Sequence, residues 1–320
     1  MQSNIINLID IKNLNKKFAI RKGLGFQYIH AVNNVSINVK RGETFALVGE
    51  SGCGKSTLGK SILRIIEPSQ GQIIYNGKNI TNAKMLPYRR KMQMIFQNTS
   101  ESLDPRLTTG EIIGESIDIH KLASGKKERE DKIKKLLETV GLSRDFICRF
   151  PHELSGGQQQ RIGIARALAV EPEFIVCDEA VSSLDVSIQA QILNMLIDMQ
   201  HSFGLTYFFI SHDLAVVRYV ATRIAVMYLG NIVEIAKNAD LYKNPIHPYT
   251  KTLLSSVPMS KNICIKNYDI LSKGDIPNPL NLPQGCCFHT RCQYIIKKCK
   301  QTAPALKEVS PQHFVACHII

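Results

Sequence analysis

Gly49–Ser56 (GESGCGKS) follows the pattern G-x-x-x-x-G-K-[S/T], and no other stretch of the chain leaves so few choices of fold. Glycines let backbone N–H groups turn inward onto phosphate oxygens, and a following helix adds its positive end. Such a loop works only between a strand and a helix. Both neighbours are present: Thr44–Val48 (TFALV) reads as a short apolar strand, and Leu58–Ile66 as a helix stopped by Pro68. Gly49, Glu50, Ser51, Gly52, Cys53 and Gly54 are therefore candidate phosphate-loop residues. Lys55 is placed to reach the outer phosphates, Ser56 to ligate Mg²⁺, and Thr57 to add a phosphate contact. A chance glycine-rich turn would lack these flanks.

Two later segments fit the same chemistry. Phe174–Cys177 is a buried-strand candidate that delivers Asp178 and Glu179 at its C-terminal end, where α/β sheets bind ligands. Asp178 is the candidate Mg²⁺ ligand, and Glu179 the candidate base that polarises water. Without the loop upstream, the pair would read as an ordinary solvated strand end. Leu154–Gln158 (LSGGQ) then opens a helix running through Gln159–Ala169. Ser155 with Gln158 makes a capping box, and a helix start built on Gly156 and Gly157 is also an anion site. The two readings are compatible. The chain already owns one phosphate loop, so the second site suits a nucleotide held by another molecule.

The remaining pattern is α/β. Ala31–Lys40 alternates with period two, and Gly71–Tyr75 and Met92–Phe96 are further strands. From Thr108 the texture becomes helical, with Ile133, Leu136, Leu137 and Val140 at helical spacing and Gly141 as a stop. Ile188–Phe203 is a helix between the strands Phe174–Cys177 and Tyr207–Ile210, and Ile224–Met227 is another strand. Such alternation implies a mainly parallel sheet covered on both faces.

With 320 residues, 44% of them hydrophobic, the chain can bury a substantial core. No run approaches the ~20 apolar residues that cross a bilayer. The start, MQSNIINLIDIKN, lacks the plan of a signal peptide, so the chain is expected to be cytosolic or on the cytosolic side of a membrane. The net charge of +13 admits nucleic acid or an anionic membrane surface as partner. The basic residues are spread over Lys12–Lys22, Lys121–Lys135 and Lys297–Lys300 without an aromatic platform, so a general surface charge is the preferred reading.

Cysteine use is uneven. Cys53, Cys148, Cys177 and Cys264 are scattered, whereas Cys286, Cys287, Cys292, Cys299 and Cys317 crowd the tail. In a reducing compartment such a cluster points to metal rather than disulfides. Zinc sites favour close pairs, and only Cys287–Cys292 approaches one. Four spread thiolates, Cys286, Cys292, Cys299 and Cys317, suit a [4Fe–4S] cluster. A thiol-rich tail without metal is the third reading. His289 and His318 read as ordinary surface histidines. The tail from about Gly274 shows little periodicity and is expected to need a staple to fold.

Together these motifs resemble the ATP-binding subunit of an ATP-binding-cassette transporter, and within that family the chain is similar to the oligopeptide/dipeptide/nickel importer ATPases. The likeness covers nearly the whole chain. The narrower assignment rests on Asn98–Arg106 (NTSESLDPR), on MYLGNIVEIA and NPIHPYTKTLLSSVP within Tyr228–Pro258, and on GCCFHTRC and VACH. Read without the family, NPIHPYT is only a Pro-kinked surface loop. The resemblance implies that Gln97 senses γ-phosphate and Mg²⁺ and faces the membrane subunit, that Ser183-Leu184-Asp185 is the D-loop, and that His212 contacts γ-phosphate. It makes Phe18 an adenine-stacking candidate, with Phe26 and Tyr28 as competitors. It also favours the iron–sulfur reading of the tail. The sequence departs from the family pattern at Ala180 (usually Pro), Ser183 (usually Ala) and Cys287 (usually Arg or another residue), and Cys287 competes with Cys286 as a ligand.

The implied fold is a P-loop ATPase core with a mainly parallel sheet, an antiparallel β portion, a helical insert over about 108–165, and a small Cys-rich extension. The expected division is an ATPase domain over 1–235 and an extension over 236–320, with the cluster-binding tail at about 274–320. The implied cofactors are ATP, Mg²⁺ and the cluster. The implied partners are a second ATPase subunit, two permease subunits and, through them, an extracytoplasmic solute-binding protein, at the cytoplasmic face of a bacterial cell membrane. The expected cargo is di- or oligopeptide, with nickel or another small solute as alternative. A soluble cassette ATPase acting on nucleic acid or the ribosome is the rival reading. The single cassette and the short insert argue against it.

Overall fold

A computed structural model of the chain describes residues 7–23, 25–255, 275 and 277–320. Cys264 lies outside the described residues. The chain divides into two compact units, one made of Met1–Ala83 and Phe209–Ile320, the other of Lys84–Phe208.

The first unit contains an antiparallel sheet. Strand Asn7–Lys22 pairs with Gly25–Lys40 and with Gln70–Tyr75, and the latter pairs with Lys78–Asn79. Leu8, Ile9, Ile11 and Leu14 are buried on one strand, and Val32, Val35, Ile37 and Val39 on its neighbour. A second set of strands centres on Thr44–Val48, which pairs in parallel with Arg223–Tyr228. Every residue of both is buried, as the continuous apolar runs of a sheet covered on both faces require. Arg223–Tyr228 turns through Leu229 (φ 43°) and Gly230 (φ 80°) into Asn231–Lys237. Two central residues with positive φ make the tight hairpin loop that matches strand twist.

The tail does not stand alone. His313–Val315 pairs antiparallel with Asn231–Lys237, and Lys307–Ser310 pairs with His313–Val315. Phe288, 1% exposed, packs against Tyr228 and Tyr249 at ring-centroid distances of 5.3 and 5.4 Å. Sheet hydrogen bonds and an aromatic anchor thus supply part of the staple that the weak periodicity asks for. NPIHPYT is also unlike its stand-alone reading as a surface loop. His247 and Tyr249 are buried, and Pro248 begins a helix, Pro248–Ser255. Proline fits there because the first turn of a helix has no use for its missing N–H.

In the second unit, Met92–Ile95 pairs in parallel with Phe174–Asp178. Helices Thr109–Ile119, Lys126–Thr139, Gly156–Leu168 and Val186–Phe203 account for much of the remainder. Thr109–Ile119 starts at a capping box: Thr108 Oγ1 accepts from the Glu111 N–H (3.3 Å), and Glu111 Oε2 accepts from the Thr108 N–H (2.7 Å). Lys126–Thr139 buries Ile133 and Leu137, and Gly141 (φ 71°) ends its run. The fully buried strand Thr206–Ser211 carries the chain back to the first unit.

Candidate nucleotide site

The phosphate loop lies between the buried strand Thr44–Val48 and the helix Lys55–Ile62. The helix starts earlier than the expected Leu58 and ends before Arg64, whose φ of 51° is incompatible with a continuing helix. Gly49 has φ 156°, and a Cβ there would sit 2.2 Å from the Met227 carbonyl oxygen. Gly54 has φ 106°, and its Cβ would sit 2.0 Å from the Ala31 carbonyl oxygen. Neither neighbour is a flexible side-chain end, so these two positions require glycine. Lys55 is 4% exposed, and its Nζ donates to the Gly49 carbonyl (2.8 Å) and the Glu50 carbonyl (2.9 Å). It lies across the loop rather than reaching into solvent. Ser56 and Thr57 follow on the first turn of the helix and are half-buried. Burial pushes the Cys53 thiol up, with the Lys55 charge opposing it, so Cys53 stays protonated.

Three groups outside the loop hold it, and the sequence gives no sign of them. The Gly230 N–H donates to the Cys53 carbonyl at 2.8 Å. The Tyr249 hydroxyl accepts from the Glu50 N–H at 2.9 Å. Arg291 Nη1 donates to both carboxylate oxygens of Glu50, at 3.1 and 3.0 Å. All three come from the C-terminal part of the chain.

In the second unit, Asp178 ends its strand 3% exposed. Glu179 follows at φ 47°, a left-handed conformation that a non-glycine residue adopts at a cost. Such strain concentrates at working sites. Gln97 Nε2 donates to Glu179 Oε2 at 2.9 Å, so the structure brings these two candidates together. Behind Gln97, the buried Thr99 hydroxyl donates to Gln160 Oε1, and Arg166 Nη1 donates to the Ser102 carbonyl (2.7 Å). These bonds fasten the segment after Gln97 to the helix Gly156–Leu168.

That helix begins at the expected capping box. Ser155 Oγ accepts from the Gln158 N–H (3.4 Å), and Gln158 Oε1 accepts from the Ser155 N–H (2.9 Å). Ser155 and Gly156 are exposed. Gly157 is needed for packing, since a Cβ there would approach Ile188 Cγ2 to 2.7 Å. Asp185 is exposed and caps Val186–Phe203, its Oδ1 accepting from the Ile188 N–H at 3.0 Å. His212, in the first unit, is exposed in the turn between Thr206–Ser211 and the helix Leu214–Val220.

Phe18 lies opposite Ile29, whereas Tyr28 lies opposite Ala19 and Phe26 opposite Arg21. Alternation along a strand therefore places Phe18 on one face of the pair and its two competitors on the other. Phe18 is 37% exposed and carries the Lys16 ammonium 5.0 Å from its ring centroid.

Two protein families match this chain: ABC transporter over residues 32–182, and oligopeptide/dipeptide transporter, C-terminal region, over residues 233–299. The chain is 49% identical to the oligopeptide transport ATP-binding protein AppF of Bacillus subtilis, over 99% of this chain and 98% of that one. The chain belongs to the ABC transporter ATPases. It is 50% identical to a putative peptide import ATP-binding protein of Brucella ovis, with 97% of each chain covered. Among solved structures, a dimeric ATP-binding cassette in a post-hydrolysis state bound to ADP and Pi matches with a TM-score of 0.65. Its identity to this chain is 30%, over 72% of this chain and 98% of that one. As an ABC ATPase the chain hydrolyses ATP in the service of transport. The glycine cradle and Lys55 suit a nucleotide phosphate chain. No helix among the described residues is long and apolar enough to cross a membrane.

The cysteine tail is gathered by its backbone. The Cys286 N–H donates to the Cys299 carbonyl (2.8 Å), and His318 Nε2 lies 2.8 Å from the Thr302 carbonyl, joining the Cys317 segment to the Cys299 segment. His289 and His318, expected as ordinary surface histidines, are partly exposed, and each has a ring nitrogen beside a backbone carbonyl, of Cys286 and of Thr302. Burial pushes the Cys286 thiol up to about 11, helped by the charges of Cys299, Cys317 and Cys292. The donor chemistry of this group suits a thiolate-bound metal. Among the described residues, however, no group of three or more His, Cys, Asp or Glu side chains is arranged to hold a metal ion. Cys287 is pushed up to about 12, again chiefly by burial, and its thiol lies 3.9 Å from the Tyr228 carbonyl.

Proposed function

We propose that this ABC ATPase powers import of di- and oligopeptides, as one of a pair of ATPase subunits docked on two permease subunits at the cytoplasmic face of a bacterial cell membrane. An extracytoplasmic solute-binding protein would deliver the cargo. The observation that carries the reading is the C-terminal region of the oligopeptide/dipeptide transporter type, matched over residues 233–299. The division proposed is an ATPase domain over 1–235, with its helical insert over about 108–165, and a transporter-type extension over 236–320. The proposed roles follow the motifs. Gly49–Thr57 bind the phosphates, with Lys55 on the outer ones, and Phe18 stacks on adenine. Ser56, Gln97 and Asp178 serve Mg²⁺, which would neutralise phosphate charge. Glu179 is the general base, and His212 contacts γ-phosphate. Ser155–Gln158 and Asp185 serve the nucleotide held by the second subunit. Catalysis is then positioning plus charge stabilisation.

In the assembled transporter, Glu179→Gln is expected to keep ATP binding and lower turnover by about 10²–10⁴-fold, the usual cost of a lost general base. Near-normal turnover would show that another group is the base. ATP hydrolysis by the reconstituted transporter with its binding protein is expected to rise on adding di- or oligopeptides. Stimulation by nickel and not by peptide would replace the cargo. For the tail we infer a [4Fe–4S] cluster on Cys286, Cys292, Cys299 and Cys317, supported by the four-thiol donor set and the gathered backbone of its segments. When bound, the cluster would order the tail.

A further inference from the structure

Glu50 is a burden for a phosphate loop, because it brings a carboxylate to a site that must accept a polyanion. The structure shows how that charge is managed. Arg291 Nη1 donates to both Glu50 carboxylate oxygens, at 3.1 and 3.0 Å, and the side chains are 9% and 23% exposed respectively. Arg291 is itself held from two sides. Its guanidinium carbon lies 5.8 Å from the ring centroids of both Tyr228 and Phe288. Those rings pack edge to face with each other and around Tyr249. The Tyr249 hydroxyl in turn accepts from the Glu50 N–H, and the Glu50 carbonyl accepts from Lys55 Nζ. Every polar group of Glu50 is thus engaged: its N–H and carboxylate by the C-terminal part of the chain, its carbonyl by the phosphate-binding lysine. A half-buried carboxylate with a single arginine clamp loses both its fixed orientation and its counter-charge when the clamp is removed.

We propose that Arg291, in the cysteine-rich tail, is a positioning residue for ATP binding that neutralises Glu50 and fixes the phosphate loop around Lys55. The proposal rests on the ATPase activity and not on the peptide cargo or the iron–sulfur cluster. Removing Arg291 leaves an uncompensated negative charge beside the incoming phosphates. Coulomb repulsion at such a range in a partly solvated site weakens ATP binding by about five-fold. The reaction itself is untouched, so the effect falls on KM and not on kcat.

The test uses the full chain assembled with its membrane subunits, with ATP as the probe. Arg291→Gln is expected to raise KM for ATP about five-fold and to leave kcat within about two-fold. Arg291→Lys is expected to recover part of the loss, since it restores charge without the two-oxygen grip. Arg291→Gln combined with Glu50→Gln is expected to return KM to near the wild-type value, because the repelling charge is gone. Arg144→Gln, which removes an exposed ion pair with Glu138, is the control and is expected to change neither constant. If Arg291→Gln does not fold, Arg291→Lys alone decides: a raised KM with kcat unchanged supports the proposal, and an unchanged KM overturns it. An unchanged KM in folded Arg291→Gln, or a double variant no better than the single one, also overturns it.

Discussion

Acidification is expected to weaken this fold through His247. The ring is 1% exposed, and its Nδ1 accepts from the Tyr249 N–H at 3.1 Å. An imidazolium has no lone pair to accept with, so protonation breaks that bond in a place water does not reach. Burial lowers the histidine from its ordinary 6.5 to about 4, with the Glu234 charge opposing and Lys251 adding to the fall. The folded state therefore holds His247 neutral where the unfolded chain would already be charged. Stability from this source is fully present above pH 6.5, falls as pH drops from 6.5 towards 4, and is constant below that. At about 1.4 kcal/mol per tenfold, the loss is about 3 kcal/mol, a large share of a typical 5–15 kcal/mol. The measurement is urea unfolding at a series of pH values for wild type and His247→Asn. The asparagine oxygen can accept the same N–H but does not titrate. Wild type is expected to lose about 3 kcal/mol more than the variant between pH 7 and pH 4. Parallel pH profiles would refute the reasoning.

Ser155→Arg is expected to abolish hydrolysis by the assembled pair and to leave ATP binding to the isolated subunit intact; the lost N-cap costs about 1 kcal/mol. Equilibrium binding of ATP to the isolated chain decides it: an affinity loss as large as that of Lys55→Ala would sink the idea that this helix end serves the partner's nucleotide. Protein purified without oxygen is expected to be brown, with about four irons per chain, and Cys299→Ser is expected to bleach it whereas Cys148→Ser is not. Metal analysis showing zinc or no metal would replace the cluster assignment and leave the ATPase chemistry standing.

Local rules carried the sequence reading a long way. Phe174–Asp178, Thr206–Ser211 and Arg223–Tyr228 are strands because their apolar runs are short and continuous, and each lies within a residue of its expected bounds. The capping box at Ser155 and Gln158 is a three-residue relation and was visible for that reason. What stayed hidden is long-range pairing of charged and polar groups. Glu50 and Arg291 are 241 positions apart, and Glu234 and His313 are 79 apart. No periodicity or motif announces such pairs. NPIHPYT misleads when read alone because two prolines usually mark solvent. Here Glu234, 0% exposed, accepts from the N–H groups of Ile246 and His247 and binds His313 Nε2 at 2.7 Å, which satisfies a buried turn that would otherwise need water.

These hidden contacts change how the C-terminal region should be understood. Glu234 joins the hairpin strand, the start of Pro248–Ser255 and the tail strand at one buried carboxylate. Gly230, Tyr249 and Arg291 each reach the phosphate loop by a different bond, on Cys53, on the Glu50 N–H and on the Glu50 carboxylate. A loop whose glycines permit many backbone shapes needs external restraint to present one of them. Part of that restraint comes from residues in the region shared with the oligopeptide/dipeptide transporters. The ABC match ends at residue 182, but the Gly49–Ser56 loop of this chain is held by residues well beyond it. Tyr249 and Arg291 are therefore structural supports of the Gly49–Ser56 loop, so a change in the packing around them has a direct route to the loop backbone.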